Sequence, residues 1–144
     1  MAQAPKKIIV EHSDFADVNQ VEMPDAFLLT GNVRVNHDRV VMTCNKAYYF
    51  QKENYIKAFG NVQMVQGDTL FLNSKYAEYN GNVKKAYASG DAVMSSPDAT
   101  LETEIINFDR NTQEVYYDTP GTITNKDNTL KSNSGKYYVN KNSL

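Results

Sequence analysis

Along most of this chain apolar and polar residues alternate with a period of two. One parity reads Phe27, Leu29, Gly31, Val33, Val35, and then Ile56, Ala58, Gly60, Val62, Met64. It returns as Ala86, Ala88, Gly90, Ala92, Met94 and as Val115, Tyr117, Thr119, Gly121, Ile123. The opposite parity is mostly polar, as in Thr30, Asn32, Arg34 and Lys57, Asn61, Gln63. Successive side chains of a strand point to opposite faces, so this pattern predicts strands with one buried and one wet face. That combination suits an antiparallel sheet.

The alternation also slips. Leu70 and Leu72 share one parity, whereas Ala77 and Tyr79 take the other. The same slip is expected between Val41, Thr43 and Tyr48, Phe50, and between Leu101, Thr103 and Ile106, Phe108. A one-residue slip at a fixed place implies a bulge or corner. Asn45, Ser74 and Thr103 are the small or polar residues expected there, with the glycines making the opposing corner.

These features repeat. Gly31, Gly60, Gly90 and Gly121 are spaced by 29, 30 and 31 residues. Asp38, Asp68, Asp98 and Asp127 follow in the same order, and Phe50, Tyr79, Phe108 and Tyr138 close the units. Self-similarity of this kind marks a repeat architecture. Each unit of about 30 residues reads as two bent strands, and Lys6–Met23 reads as a partial first unit. At a strand spacing of about 4.8 Å, nine layers predict a body about 40 Å long, with two sheets facing each other. Pro120, beside Gly121, predicts a locally irregular or edge strand in the fourth unit.

Length alone predicts a single domain over 1–144, with 1–7 as a flexible tail and a continuation beyond 144 left open. The 15 basic residues are scattered among 17 acidic ones, which argues against a nucleic-acid partner. No run approaches the roughly 20 apolar residues of a membrane-spanning helix. The start "MAQAPKK" reads as the end left by signal-peptide cleavage, near Ala2–Gln3. Cys44, the single cysteine, lies in a strand-like run and reads as a small buried hydrophobe.

The candidate chemistry is sparse. The recurring aspartates sit where turns demand Asp, Asn or Gly, so turn chemistry is preferred over a calcium ladder. His12 and His37 lack zinc-ligand spacing. No nucleophile motif is present, and Glu102 and Glu104 read as solvated surface. The chain reads as a non-enzyme without cofactor or metal.

The entry strand "IIVEHSD" (Ile8–Asp14) is followed by "LTGNVRV" (Leu29–Val35), "AFGNVQMVQGDTLFLNSKYAEY" (Ala58–Tyr79) and "ASGDAVM" (Ala88–Met94). This order resembles the LptA/OstA family of lipopolysaccharide transport proteins. The resemblance implies an all-β fold, a twisted incomplete β-jellyroll or β-taco of stacked antiparallel bent strands, shared with LptC and the periplasmic domain of LptD. It also implies a periplasmic location and an interior groove for the acyl chains of lipopolysaccharide. Its partners would be inner- and outer-membrane transport proteins of the same fold, joined by edge-to-edge strand pairing, with head-to-tail self-association.

Under that resemblance the candidate groove residues are Val33, Val35, Phe50, Ile56, Val62, Met64, Leu72, Tyr79, Met94, Ile106, Phe108 and Ile123. From the pattern alone the same apolar positions are core. Burying a methylene contributes about 0.8 kcal/mol, so a few acyl chains would bind firmly without any catalytic group. The candidate joining edges are Ile8, Ile9, Val10 at one end and Tyr137, Tyr138, Val139 at the other. Two alternatives stand beside the transport reading: a structural β-repeat module with a closed core, and the periplasmic domain of a larger outer-membrane assembly protein.

Overall fold

The computed structural model describes residues 6–18 and 24–139. The expected cleavage junction at Ala2–Gln3 and the end of the last unit after Val139 lie outside the described residues. The described residues form strands and turns only. The strands are β1 (Ile9–His12), β2 (Phe15–Asp17), β3 (Phe27–His37), β4 (Val40–Phe50), β5 (Tyr55–Gln66) and β6 (Leu70–Asn80). They continue as β7 (Lys85–Ser95), β8 (Ala99–Asp109), β9 (Glu114–Tyr117), β10 (Gly121–Asn125), β11 (Thr129–Ser132) and β12 (Gly135–Tyr138). Every pairing is antiparallel.

Strands β3 to β8 are long, and each changes register once near its middle. The break divides the sheet into two leaves. The first leaf runs β2, one half of each of β3 to β8, then β9 and β12. The second runs β1, the other halves, then β10 and β11. Each leaf is thus nine strand segments deep, about 40 Å at the usual strand spacing.

Glycine makes the corner in three units. Gly31, Gly60 and Gly90 have φ of 83, 80 and 87°, and their followers Asn32, Asn61 and Asp91 have φ of 48, 49 and 48°. Two consecutive left-handed residues oppose a single residue on the partner strand, which is a bulge that re-aims the chain. Gly followed by Asn or Asp is the pair that tolerates this backbone. The opposing residues are Asn45, Lys75 and Glu104. Ser74 and Thr103, expected at the slip, stand one position earlier, with Cys44 as their equivalent. These three are buried, and Cys44 and Ser74 each donate to the carbonyl two residues on, at 3.3 and 2.9 Å.

Gly121 differs from the other three. Its φ is not left-handed, and strand structure is interrupted between β9 and β10 at Asp118–Pro120. A Cβ at Gly121 would lie 2.9 Å from the Tyr117 ring, so this glycine serves close packing and not a corner.

The first and last units also correct the phase read from the sequence. Val40, Met42 and Cys44 point inward, not Val41 and Thr43. Ala47 and Tyr49 continue the inner face, so Tyr49 takes the position assigned to Phe50. The turn after β3 has two residues, Asp38 and Arg39, whereas the turn after β5 has three. The 19-residue step that holds from Gly60 to Tyr79 therefore overshoots by one from Gly31. In the last unit Tyr137 pairs with Val115 and packs on the core, and Tyr138 is 45% exposed. The closing aromatics are Tyr49, Tyr79, Phe108 and Tyr137.

The inner faces form continuous rungs. In the first leaf Phe27, Tyr49, Ile56, Tyr79, Ala86, Phe108, Val115 and Tyr137 pair in succession. In the second leaf the rung is Val10, Val35, Met42, Met64, Leu72, Met94, Leu101, Ile123 and Leu130. On the outer face of the first leaf Tyr48, Phe59, Tyr76 and Tyr87 make successive ring contacts at 5.9, 5.0 and 6.4 Å. Tyr48, Tyr76 and Tyr87, three of the chain's ten tyrosines, thus lie in cross-strand aromatic pairs that brace this leaf from outside.

Candidate functional site

The space between the leaves is an apolar strip. Of the candidate groove residues, Val33, Val35, Ile56, Val62, Met64, Leu72, Tyr79, Met94, Ile106 and Phe108 are buried in one cluster. Ile123 is half-buried against it, and Phe50 is half-buried beside Tyr55 on the other face. The strip emerges at β11, where Leu130 is 59% exposed. Cys44 lines it as a small apolar residue, and burial pushes its thiol up to about 11.

One flank of the strip is the row of bulges. The other is a polar seam where hairpin tips of the two leaves meet. At its centre Arg110 Nη1 donates to the Tyr79 hydroxyl at 3.0 Å and to the His37 carbonyl at 3.3 Å. Its Nη2 donates to the Asp38 carbonyl at 2.6 Å, and its Nε donates to Gln66 Oε1 at 3.0 Å. His37 Nε2 lies 3.0 Å from the Lys6 carbonyl, which only accepts, so Nε2 carries the proton. His37 Nδ1, 2.7 Å from the Tyr79 hydroxyl, is then the acceptor. Donation runs from Arg110 to Tyr79 to His37 to Lys6.

The seam continues on both sides. Gln66 Nε2 donates to Gln113 Oε1 at 2.7 Å, and the Ser96 and Tyr137 hydroxyls lie 2.9 Å apart. Asn54 accepts from the Ile8 amide at 2.7 Å and donates to the Lys6 carbonyl at 2.7 Å. Asp38 pairs with Lys84 at 2.9 Å and with Lys6 at 3.0 Å. Those two ammonium groups, Lys84 first, hold its carboxyl well below the usual carboxylate range. Burial lowers the pKa of His37, opposed by its bond to Lys6 and reinforced by the charge of Arg110.

Asp38, Asp68, Asp98 and Asp127 all lie in turns. Asp38 does more, because it ties the seam. The sequence reading missed the seam because its contacts join residues 31 to 73 positions apart. One signal was available: Asn54, Lys84 and Gln113, spaced by 30 and 29 residues, take the same left-handed place in successive turns.

The candidate joining strands lie at the margins. Among the described residues β1 and β2 pair only with β3, β11 only with β10 and β12 only with β9. Ile8 precedes β1 and is buried, its carbonyl accepting from the Tyr49 hydroxyl at 2.9 Å. Val139 follows β12, and its amide donates to the Gln113 carbonyl at 2.8 Å. Ile9 and Tyr138 are exposed, Val10 and Tyr137 half-buried.

The family model for OstA-like protein matches residues 5–143. The chain belongs to the OstA-like protein family. The fold resembles a crystal structure described as LptH, the LptA homologous periplasmic component of the conserved lipopolysaccharide transport device from Pseudomonas aeruginosa. That match has a TM-score of 0.62 and 18% identity over 72% of this chain and 76% of that one. No curated protein matches. The family and the likeness establish the β-taco expected from the sequence: long antiparallel strands, bent at bulges, in an unclosed twisted sheet.

Proposed function

We propose that this protein is a non-enzymatic, periplasmic component of lipopolysaccharide transport that holds acyl chains between its two leaves. The observation that carries the reading is the apolar rung from Val10 to Leu130, which crosses the whole second leaf and reaches the surface at β11. An apolar row that runs unbroken from one margin to the other is what a lipid track continued through stacked molecules requires. Met42, Met64 and Met94 on this rung are unbranched and polarizable, and they repack around a mobile chain at small cost. In the closed form the strip is filled by its own side chains, so acyl chains enter as the leaves part along the seam. Family membership and the resemblance to a lipopolysaccharide transport component agree with this assignment.

Partners of the same fold would extend the sheet at its margins. Stacking that continues both leaves sets β12 against β2 and β11 against β1 of the next molecule. Backbone hydrogen bonds would supply the affinity, as in strand addition generally.

The test is photo-crosslinking in cells at Met64 and Phe108, with exposed Gln63 as the control. Capture of lipopolysaccharide at the two interior positions, and not at Gln63, is expected. Capture only at Gln63, or nowhere, would leave a closed structural module.

A further inference from the structure

Beside the seam lies an open cavity of about 480 Å³, lined in part by Asp38, Arg39, Gln66, Lys84, Arg110 and Gln113. Its walls share an unusual backbone. Eight non-glycine residues have positive φ among those described, and five of them are Asn or Asp, which tolerate that conformation. The other three are Arg39, Lys84 and Gln113, with φ of 74, 57 and 60°. All three line this one cavity. Long side chains are held here where Gly or Asn costs less, and such strain collects at functional positions.

The seam accounts for two of them. Lys84 binds Asp38, and Gln113 exchanges hydrogen bonds with Gln66. Arg39 has no such role. It occupies the second position of the two-residue turn after β3, where Gly is favoured. Its guanidinium is exposed and makes no hydrogen bond or ion pair among the described residues.

The donors at the cavity are in surplus. Arg110 uses four of its five N–H donors and Lys84 one of its three, while Arg39 keeps all of its own. Asp38 is already matched by Lys6 and Lys84, so Arg39 and Arg110 face only Asp68 as an unmatched acid. This local excess of cations stands in a chain whose net charge is −2.

We propose that this cavity binds a phosphate-type anion, with Arg39 as its principal ligand and Lys84 and Arg110 completing the cradle. A guanidinium suits an anion of this shape because its planar fork donates two parallel bonds. The cavity lies where the two leaves meet, so the anion is the headgroup of an amphiphile whose chains occupy the strip. That last step rests on the function proposed above; the anion site itself does not.

The experiment is an NMR titration of the whole chain, following the amides of Arg39, Gly67, Thr69 and Lys84. Inorganic phosphate is expected to shift them, and chloride at equal ionic strength is not. Arg39→Gly relieves the positive φ, so its Tm should stay level or rise while phosphate affinity falls about tenfold, roughly the loss of one charge-assisted contact. Arg34→Gln, which breaks an outer pair with Glu11, should leave phosphate binding unchanged. Equal shifts with chloride, or an unchanged affinity in Arg39→Gly, would overturn the site.

Octyl phosphate and octyl glucoside separate the two sources of the anion. Tighter binding of octyl phosphate than of phosphate, with methyl shifts at Met94 and Leu101, supports the headgroup. Equal binding without methyl shifts leaves a site for free anion and removes the amphiphile. Methyl shifts with octyl glucoside but no seam shifts with phosphate retain the lipid strip and sink the anion site.

Discussion

Single residues decide the corners. At Gly90 a Cβ would lie 2.7 Å from Lys75 Cβ at a φ of +87°. Gly67 also has positive φ, +49°, but a Cβ there meets nothing within 4 Å. Gly90→Ala should therefore cost about 3 kcal/mol and Gly67→Ala about 1 kcal/mol, read from urea denaturation. His37 carries a second residue-scale prediction. Burial lowers its folded pKa below the ordinary value of 6.5, so the unfolded chain binds the proton more readily. Stability should be level above that value and fall as pH drops through 6.5 toward the folded pKa, where the loss is complete. Protonation would also put a hydrogen on Nδ1, where the Tyr79 hydroxyl now donates. Melting curves from pH 7.5 to 5 should show this slope in the wild type and a shallower one in His37→Gln.

At the scale of elements, bulge and seam divide the work. The bulges turn six long strands from one leaf into the other without interrupting the chain, and the seam joins the tips that result. Arg110 bonds residues of β3, β5 and β6 and the turn after β3, so it fastens the two leaves directly. Arg110→Met removes four hydrogen bonds and leaves buried acceptors unpaired, which should cost about 2–4 kcal/mol. Arg34→Met breaks only the half-exposed pair with Glu11 and should change stability by less than about 1 kcal/mol. Thermal melts of the two variants side by side check the contrast. If the leaves part along the seam, Arg110→Met should also raise lipid capture at Met64.

For the whole molecule, the margins of the sheet matter most. Strand β1 carries Glu11 and His12, and β11 and β12 carry Lys131 and Lys136, so the opposing margins differ in charge. Margins that pair head to tail repeat without closing and would give filaments rather than a closed dimer. Light scattering should show a mass that keeps rising with concentration. A mass that stays monomeric across the range would count against edge pairing. Pro substitutions at Val10 and Lys131, whose amides point away from β3 and β10 in the antiparallel register, should stop the growth while the fold persists.

The sequence by itself determined the strands, the repeat and the wet and dry faces, because a period of two and a Gly-Asn or Gly-Asp pair are local signals. It also placed Ile56, Val62, Met64, Leu72, Tyr79 and Phe108 on the inner face correctly. It misplaced Phe50 by one position because register depends on turn length, and the turn after β3 is one residue shorter than the turn after β5; in the last unit Tyr137, not Tyr138, takes the inner place opposite Val115. Only the tertiary structure decided that Gly121 packs against Tyr117 instead of bending a strand. The tertiary structure alone assembled the seam and the cavity beside it. His37, Tyr79 and Arg110 lie in three different units, and no local pattern records that folding sets their side chains within hydrogen-bonding distance.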